Sequence, residues 1–328
     1  MKDSTGVLDV SVIIVNWNSK CFLRQCLASL YAKCQIGSLE IIVVDGGSFD
    51  GCGEMLANEF PGVTFVQSEK NVGFAKANNL GVCRAKGRYL LFLNPDTELS
   101  EDSIRILLNQ AESLPQAGAV GCKLLNSDGS LQTSCVQAFP TVWNQVLDSE
   151  YLRRRFPTWK LWGMGALFAR PAQPAIVEVI VGACLMVRRE VFDSAGGFAE
   201  QYFMYGEDAD FCFKVRRAGY RVYYVPDTSM IHHGGTSSRQ ARSNFSNVML
   251  RESVYRFLIS NRGPIRASVY RAAIAFSSVL RLSLILLLLP ASRKDMVRHG
   301  SGSLQKWLSI LRWGLGLESW ARSYPPNV

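Results

Sequence analysis

The sequence predicts an α/β protein built on a doubly wound sheet, followed by a basic, apolar helical extension. Three observations predict this. Short runs of Val, Ile and Leu alternate with segments of helical length over the first hundred residues, polar stretches rich in Gly and Asn follow each run, and charge and texture change sharply beyond residue 238.

The runs are "VSVIIV" at 10–15, "EIIVVD" at 40–45, "VTFVQ" at 63–67 and "YLLFLN" at 89–94. Short, continuous apolar segments of this kind suit parallel strands buried on both faces. Residues 20–32, 50–60 and 74–85 lie between them and are long enough for helices. Strand and helix in this order imply right-handed βαβ crossovers, and ligands on such sheets gather at the carboxyl ends of the strands. Those ends carry "NWN" at 16–18, "DGGSFDG" at 45–51, "EKNVGFAKANN" at 69–79 and "NPDTE" at 94–98. Gly and Asn alone would mean only turns. Asp45 and Asp96 each stand just past a buried strand, where a carboxylate is held rigidly at the crevice.

No GxGxxG follows the first strand and no GxxxxGK[ST] occurs, so neither a dinucleotide fingerprint nor a P-loop is present. A phosphate-bearing ligand would then need a divalent cation held by carboxylates, with Asp96 the natural candidate.

From about residue 118 the texture changes. "GAVGCKLL" reads as a strand and "NSDGS" as a tight turn, after which residues 136–175 are irregular and rich in aromatic residues. "VEVIVGACLMVRREVF" restores strand and helix. In "FMYGEDADFCFKVRRAGY", at 203–220, a helix is expected to start near Gly206 or Glu207 and to end at Gly219. Glu207, Asp208 and Asp210 crowd its first turn, where acids oppose the helix dipole. Asp208 shares a face with Phe211 and Cys212 and so leans inward, whereas Asp210 points elsewhere. Downstream, strand alternation sends the adjacent His232 and His233 in opposite directions, so that one of the two can face a metal.

A hydrophobic content of 48% in 328 residues supplies a substantial core and excludes general disorder. The nine cysteines form no CxxC pair, and "MKDSTGVLDV" has no apolar signal core, which points to reduced thiols in the cytosol. The net charge of +9 is unevenly spread: residues 1–238 hold 22 basic and 24 acidic side chains, and residues 239–328 hold 14 and 3. The tail also carries "AAIAFSSVLRLSLILLLLP" and "SLQKWLSILRWGLGL". Basic residues mixed with Leu and Trp fit an anionic bilayer surface better than nucleic acid. Residues 272–289 reach the lower limit for a single span, but Arg281 in their middle would cost about 2.5 to 3.5 kcal/mol on insertion scales. A helix lying in the interface is the expectation, and a helix packed on the protein with its arginines outward would show the same spacing.

Taken in order, "VSVIIVNWNS", "VVDGGSFDG", "EKNVGFAKANNLGV", "LNPDT", "VGACLMVRREVFDSAGGF", "FMYGEDADFCFKVRRAGY" and "HHGGTSS" resemble family 2 inverting glycosyltransferases of the GT-A fold, rhamnosyltransferase-like branch. The resemblance spans residues 8–245 and leaves 246–328 as a separate helical, membrane-associating extension. It implies a donor site drawing on Asn16, Asp45, Gly73, Asn78, Asn94 and Asp96, with Asp45 against the nucleotide base. It also implies Mg²⁺ or Mn²⁺ held by Asp96 and His232, Asp208 as catalytic base, and Glu207 and Asp210 supporting the base or the acceptor.

The implied reaction moves a sugar from a nucleotide-diphosphate donor, L-rhamnose from dTDP-rhamnose in first place, to a hydroxyl of a lipid-linked glycan in cell-surface polysaccharide synthesis. The implied place is the cytoplasm, peripheral on the inner face of the cell membrane, with no nucleic-acid partner. A UDP-hexose or UDP-N-acetylhexosamine donor is the alternative within the same chemistry. A noncatalytic sugar-nucleotide-binding protein is the alternative of another class. Gly46, Cys52 and Ala199 depart from the family's usual Asn, Ser and Asp.

Overall fold

The computed structural model describes residues 8–234, 244–288 and 294–324. Two compact units divide them: residues 8–139, 156–203 and 207–234 form the first, and 140–155, 204–206 and the described residues from 244 onward form the second. Pro140–Arg155 therefore groups with the C-terminal extension rather than with the strands that flank it in sequence.

The first unit is built on a nine-stranded mixed sheet. Strands β1 (Val10–Asn16), β2 (Leu39–Asp45), β3 (Thr64–Gln67) and β4 (Tyr89–Leu93) alternate with helices α1 (Lys20–Lys33), α2 (Cys52–Glu59) and α3 (Phe74–Val82). These bounds lie within two or three residues of those read from the sequence. The runs form strands because they are apolar on both faces: Val10, Val12, Ile13 and Ile14 of β1 and all of β4 are buried. Helix α1 covers one face with Leu23, Cys26, Leu27 and Leu30, spaced three, one and three residues apart.

Strand β1 pairs in parallel with β2 on one side and β4 on the other, and β2 pairs in parallel with β3. The chain thus leaves β1 in one direction and returns to its opposite edge. The switch point lies between the carboxyl ends of β1 and β4, where a crevice opens.

Beyond β4 the sheet is not all parallel. Strands β5 (Thr97–Leu99), β6 (Ala117–Leu125), β7 (Val136–Gln137), β8 (Ala175–Val177), β9 (Val179–Ile180), β10 (Cys184–Arg188) and β11 (Arg221–His232) complete the strand set, and the main order is β3-β2-β1-β4-β10-β6-β11-β5. β10 runs antiparallel to both β4 and β6, and β11 is parallel to β6 but antiparallel to β5. The later part of the sheet is mixed because "VGACLMV" turns back into it without a crossover helix, placing its amino end beside the carboxyl end of β4. Helix α4 (Ser103–Ser113) packs with β6, while α7 (Arg189–Ser194) and α8 (Glu207–Arg217) flank the later strands.

The second unit is helical. It comprises the short α5 (Val142–Val146) and α6 (Glu150–Arg155), then α9 (Phe245–Arg262), α10 (Pro264–Leu288) and α11 (Lys294–Gly314). Its core contains Phe257, Tyr270, Ile274, Ile310 and Trp313, all fully buried. The Trp313 indole N–H donates to Glu252 Oε2 at 2.9 Å, satisfying a buried acid that also pairs with Arg256. Among the described residues, α10 is the one helix long and apolar enough to cross a membrane.

Candidate active site

Register places Asn16, Asp45 and Gln67 side by side across the ends of β1, β2 and β3. Asp45 is fully buried. Its Oδ1 accepts from Asn16 Nδ2 (2.9 Å), Ser48 Oγ (2.6 Å) and Cys52 Sγ (3.1 Å), and its Oδ2 accepts from Ser48 N and Gln67 Nε2 (both 2.8 Å). Burial works to raise this carboxyl, but the bonds from Ser48, Asn16 and Cys52 outweigh it and hold the acid below its ordinary range. With five donors on two oxygens, Asp45 organises the loop between β2 and α2.

The departures from the family pattern sit easily in this geometry. The Cys52 thiol makes the bond that a serine hydroxyl would make, and a Cβ built on Gly46 would meet nothing closer than 3.5 Å. Asp50 caps both neighbouring helices, accepting from Lys20 N and Cys52 N.

Gly73 and Asn78 play architectural parts. A Cβ on Gly73 (φ +84°) would lie 2.5 Å from the Phe203 carbonyl oxygen, so only glycine lets these two segments approach. Asn78 is buried within α3, with its amide donating to the Phe74 carbonyl.

The turn after β4 and the end of β11 meet. His232 Nε2 lies 3.3 Å from Asp96 Oδ1 and 3.2 Å from Asn94 Nδ2. His232 Nδ1 lies 2.7 Å from Gln132 Oε1, and an amide oxygen only accepts. Nδ1 therefore donates to Gln132, and Nε2 lies between the Asn94 amide and the Asp96 carboxylate oxygen. His233 turns the other way, between Glu98 Oε1 and Ser127 Oγ (both 2.8 Å), while its backbone N–H donates to the Asp96 carbonyl. The alternation argument thus holds, and it is His232 that faces Asp96. The downstream part of "HHGGTSS", from Gly235, lies outside the described residues.

An imidazole nitrogen and a carboxylate oxygen 3.3 Å apart are ligand types that a divalent cation accepts. Among the described residues no cluster of three or more His, Cys, Asp and Glu side chains could hold one without outside ligands. Phosphate oxygens and water would have to complete the coordination shell, as is usual for Mg²⁺.

The "GEDAD" acids separate into different environments. Glu207 and Asp210 are buried, whereas Asp208 is only half-buried. Asp208 leans toward Gly182, whose N–H donates to Asp208 Oδ2 at 3.2 Å, and keeps an accessible side, whereas Asp210, expected to point elsewhere, is the more deeply buried of the two. The Ala209 N–H donates to Asp208 Oδ1 at 2.7 Å. Withdrawal from water raises the Asp208 carboxyl despite these two bonds. Glu207 is pushed well above its ordinary value by burial first and the Asp208 charge second. Asp210 pairs with Lys214 (3.1 Å) and accepts from the Tyr202 hydroxyl (3.3 Å). It is a structural ion pair rather than a partner of Asp208.

One dipeptide links the two halves of the site. Ala183 O accepts from the Asn94 N–H at 3.0 Å, and Gly182 N–H holds Asp208. A Cβ on Gly182 would press on the Phe74 ring at 3.1 Å. Gly182 lies inside a matched motif, so its presence was legible although its role was not. Gln132 lies in the stretch after the "NSDGS" turn, where nothing in the sequence marks it.

With this geometry in place, comparison with known proteins is specific. The family model "Glycosyl transferase family 2" matches residues 11–196, and "N-terminal domain of galactosyltransferase" matches residues 168–234. The chain is 28% identical over 243 residues to the N-acetylglucosaminyl-diphospho-decaprenol L-rhamnosyltransferase of Mycobacterium tuberculosis, covering 69% of this chain and 76% of that protein. It is 27% identical to the rhamnosyltransferase WbbL of Escherichia coli, covering 77% of this chain and 94% of the other. Among solved structures, the mannosyltransferase PcManGT of Pyrobaculum calidifontis, in complex with GDP-mannose and Mn²⁺, superposes with a TM-score of 0.54 over 93% of this chain and 86% of the other at 17% identity. That last likeness concerns the fold.

Proposed function

The chain belongs to glycosyl transferase family 2, and from that membership we propose that it transfers L-rhamnose from dTDP-rhamnose, with inversion, to a hydroxyl of a lipid-linked glycan. The observation that carries the reading is the backbone bridge just described. It sets a cation-competent pair, Asp96 and His232, and a half-exposed carboxylate, Asp208, on either side of Gly182-Ala183.

Inversion requires one in-line displacement. Asp208 removes the acceptor hydroxyl proton as that oxygen bonds to the anomeric carbon, and the bond from that carbon to the donor diphosphate breaks. The raised proton affinity of Asp208 makes it a stronger base than a solvated aspartate. Asp96 and His232 would hold Mg²⁺ or Mn²⁺, which when bound neutralises the leaving diphosphate. Gln132 fixes the His232 tautomer, and Gly182 orients Asp208.

The rhamnosyl donor and lipid-linked acceptor come from the names of the two relatives. A second reading, a UDP-hexose donor, is favoured by the galactosyltransferase match at 168–234. A panel of nucleotide sugars, assayed for transfer and for nucleoside diphosphate release with and without Mn²⁺, tests both. Preferred turnover of dTDP-rhamnose supports the first reading, and preferred turnover of a UDP-hexose supports the second.

The helical unit supports attachment to an anionic bilayer. Ile265, Val269, Phe276, Leu280 and Leu287 of α10 are exposed at spacings of four and seven, which lines them along one face. Leu308, Leu315 and Leu317 are exposed as well. The guanidinium of Arg281 donates to the Val146 and Asp148 carbonyls, which ties the middle of α10 to the protein. That anchoring favours a helix lying on the membrane over one crossing it.

A further inference from the structure

The helical unit holds a second group of charges that the transfer reaction does not use. Arg251 is buried to 6% exposure; Nη1 donates to Gln145 Oε1 at 3.2 Å, and its buried Nε has no hydrogen-bond partner. A buried, unmatched guanidinium nitrogen is costly, because the desolvation of a charged donor is not offset. The Arg281 guanidinium stacks over the Trp307 ring, 4.3 Å from its centroid, with the Lys306 ammonium 5.5 Å from the same ring. Lys306 is an exposed residue, yet its ammonium is lowered, first by the protein packed around it and then by Arg251, with a further contribution from Arg281.

Arg281 and Lys306 each feel Arg251, and the acid that acts on both of them is Asp148. Asp148 is already engaged by Arg153 at 2.7 Å. Glu252, next in sequence to Arg251, is occupied by Arg256 and Trp313. Among the described residues the group therefore carries more positive charge than its acids neutralise. Like charges gathered in a partly dry setting call for an anion. Leu280 and Leu284, exposed next to Arg281 along α10, supply apolar surface beside that charge.

We propose that Arg251, Arg281 and Lys306, with the Trp307 ring as a platform, bind a lipid-borne phosphate whose acyl or prenyl chain runs along the exposed face of α10. The phosphate could arrive as the diphosphate of a prenyl-linked acceptor or as a phospholipid headgroup; the two share the chemistry these residues recognise, a fixed cluster of N–H donors for anionic oxygens. The inference rests on the proposed use of a lipid-linked acceptor and assigns it a place in this chain.

The test uses the full chain saturated with dTDP and Mn²⁺, so that added diphosphates do not report on the donor site. Farnesyl diphosphate and inorganic pyrophosphate are titrated by calorimetry, and flotation is measured on phosphatidylcholine vesicles with and without phosphatidylglycerol. Lys306→Glu is the main variant, since the residue is exposed and the fold does not depend on it; Arg281→Lys, which keeps the charge, is the second.

Farnesyl diphosphate is expected to bind at least tenfold more tightly than pyrophosphate, and Lys306→Glu to weaken it at least tenfold while Arg281→Lys weakens it less. If Lys306→Glu instead reduces only the phosphatidylglycerol-dependent flotation, the phosphate is a headgroup. Equal binding of the two diphosphates, or an unchanged affinity in Lys306→Glu with unchanged flotation, overturns the proposal. Release of nucleoside diphosphate from the sugar donor by Lys306→Glu separates the two levels. Where release persists and lipid phosphate does not bind, this inference fails alone, whereas absence of release from the unaltered protein with every donor counts against the transferase reading itself.

Discussion

His232 Nε2 and Asp96 Oδ1 face each other at 3.3 Å, and the far ring nitrogen, Nδ1, donates to Gln132 Oε1 at 2.7 Å. The pair's two members come from chain segments 136 residues apart that meet where β11 pairs with β5.

Asp96→Ala and His232→Ala are each expected to abolish Mn²⁺-dependent binding of the nucleoside diphosphate, measured by calorimetry with and without the metal. Gln132→Ala should weaken metal affinity by about 10- to 100-fold, the usual effect of removing an orienting partner. His233→Ala should leave it within a few-fold, because that ring lies between Glu98 and Ser127. A sensitive His233 with an indifferent His232 would contradict the site as described.

Asp45 makes a prediction of the opposite kind, on stability more than on chemistry. Its carboxyl is lowered in the folded protein, so its contribution is present above the ordinary carboxylate range and is lost as pH falls through the lowered value. Asp45→Asn should lower stability at pH 7 by about 2 kcal/mol or more, given several bonds to a charged acceptor. The gap to the unaltered protein should narrow as pH falls below about 4. Chemical denaturation at pH 7, 5 and 3.5 reads this, and a gap that stays constant with pH would contradict it.

Much of the first unit was legible in the sequence because its signals are local. β1 to β4 are apolar on both faces and bounded by Gly and Asn, so their bounds, their order and the polar rim follow from pattern alone. The direction of β10 was not legible, since a five-residue apolar strand looks the same in either orientation. What holds Asp45 was hidden for a related reason: Ser48, Cys52 and Gln67 close around it through bonds that no local pattern records. Among the GEDAD acids, the i,i+4 spacing of Asp210 and Lys214 carried the signal for their ion pair, although the resemblance gave Asp210 a supporting part at the base. In the tail, composition gave the helices and the apolar face. The grouping of residues 140–155 with that tail rests on long-range contacts such as Arg281 to the Val146 carbonyl, which no local pattern records. A cut at residue 264 would accordingly divide the helical unit and strip Glu252 of Trp313.

The membrane reading is therefore better tested by point changes than by truncation. Leu280→Glu with Leu287→Glu should abolish flotation on anionic vesicles, while the unaltered protein is released only in part by high salt, because apolar burial is not screened. Full retention of the double variant on the vesicles would show that the exposed face of α10 serves another purpose.

The central claim, that Asp208 takes the acceptor proton, is tested most directly by single-turnover transfer with Asp208→Asn, beside Glu207→Gln as a control. Glu207 is buried, its carboxyl is held well above its ordinary value by burial and by the Asp208 charge, and the amide keeps its shape. The account predicts that Asp208→Asn loses about 10²- to 10⁴-fold or more in the chemical step, with donor binding within a few-fold. It predicts that Glu207→Gln retains transfer, with rates rising with pH through the raised Asp208 value in both the unaltered protein and the control. Near-normal turnover by Asp208→Asn, or loss confined to Glu207→Gln, would contradict it.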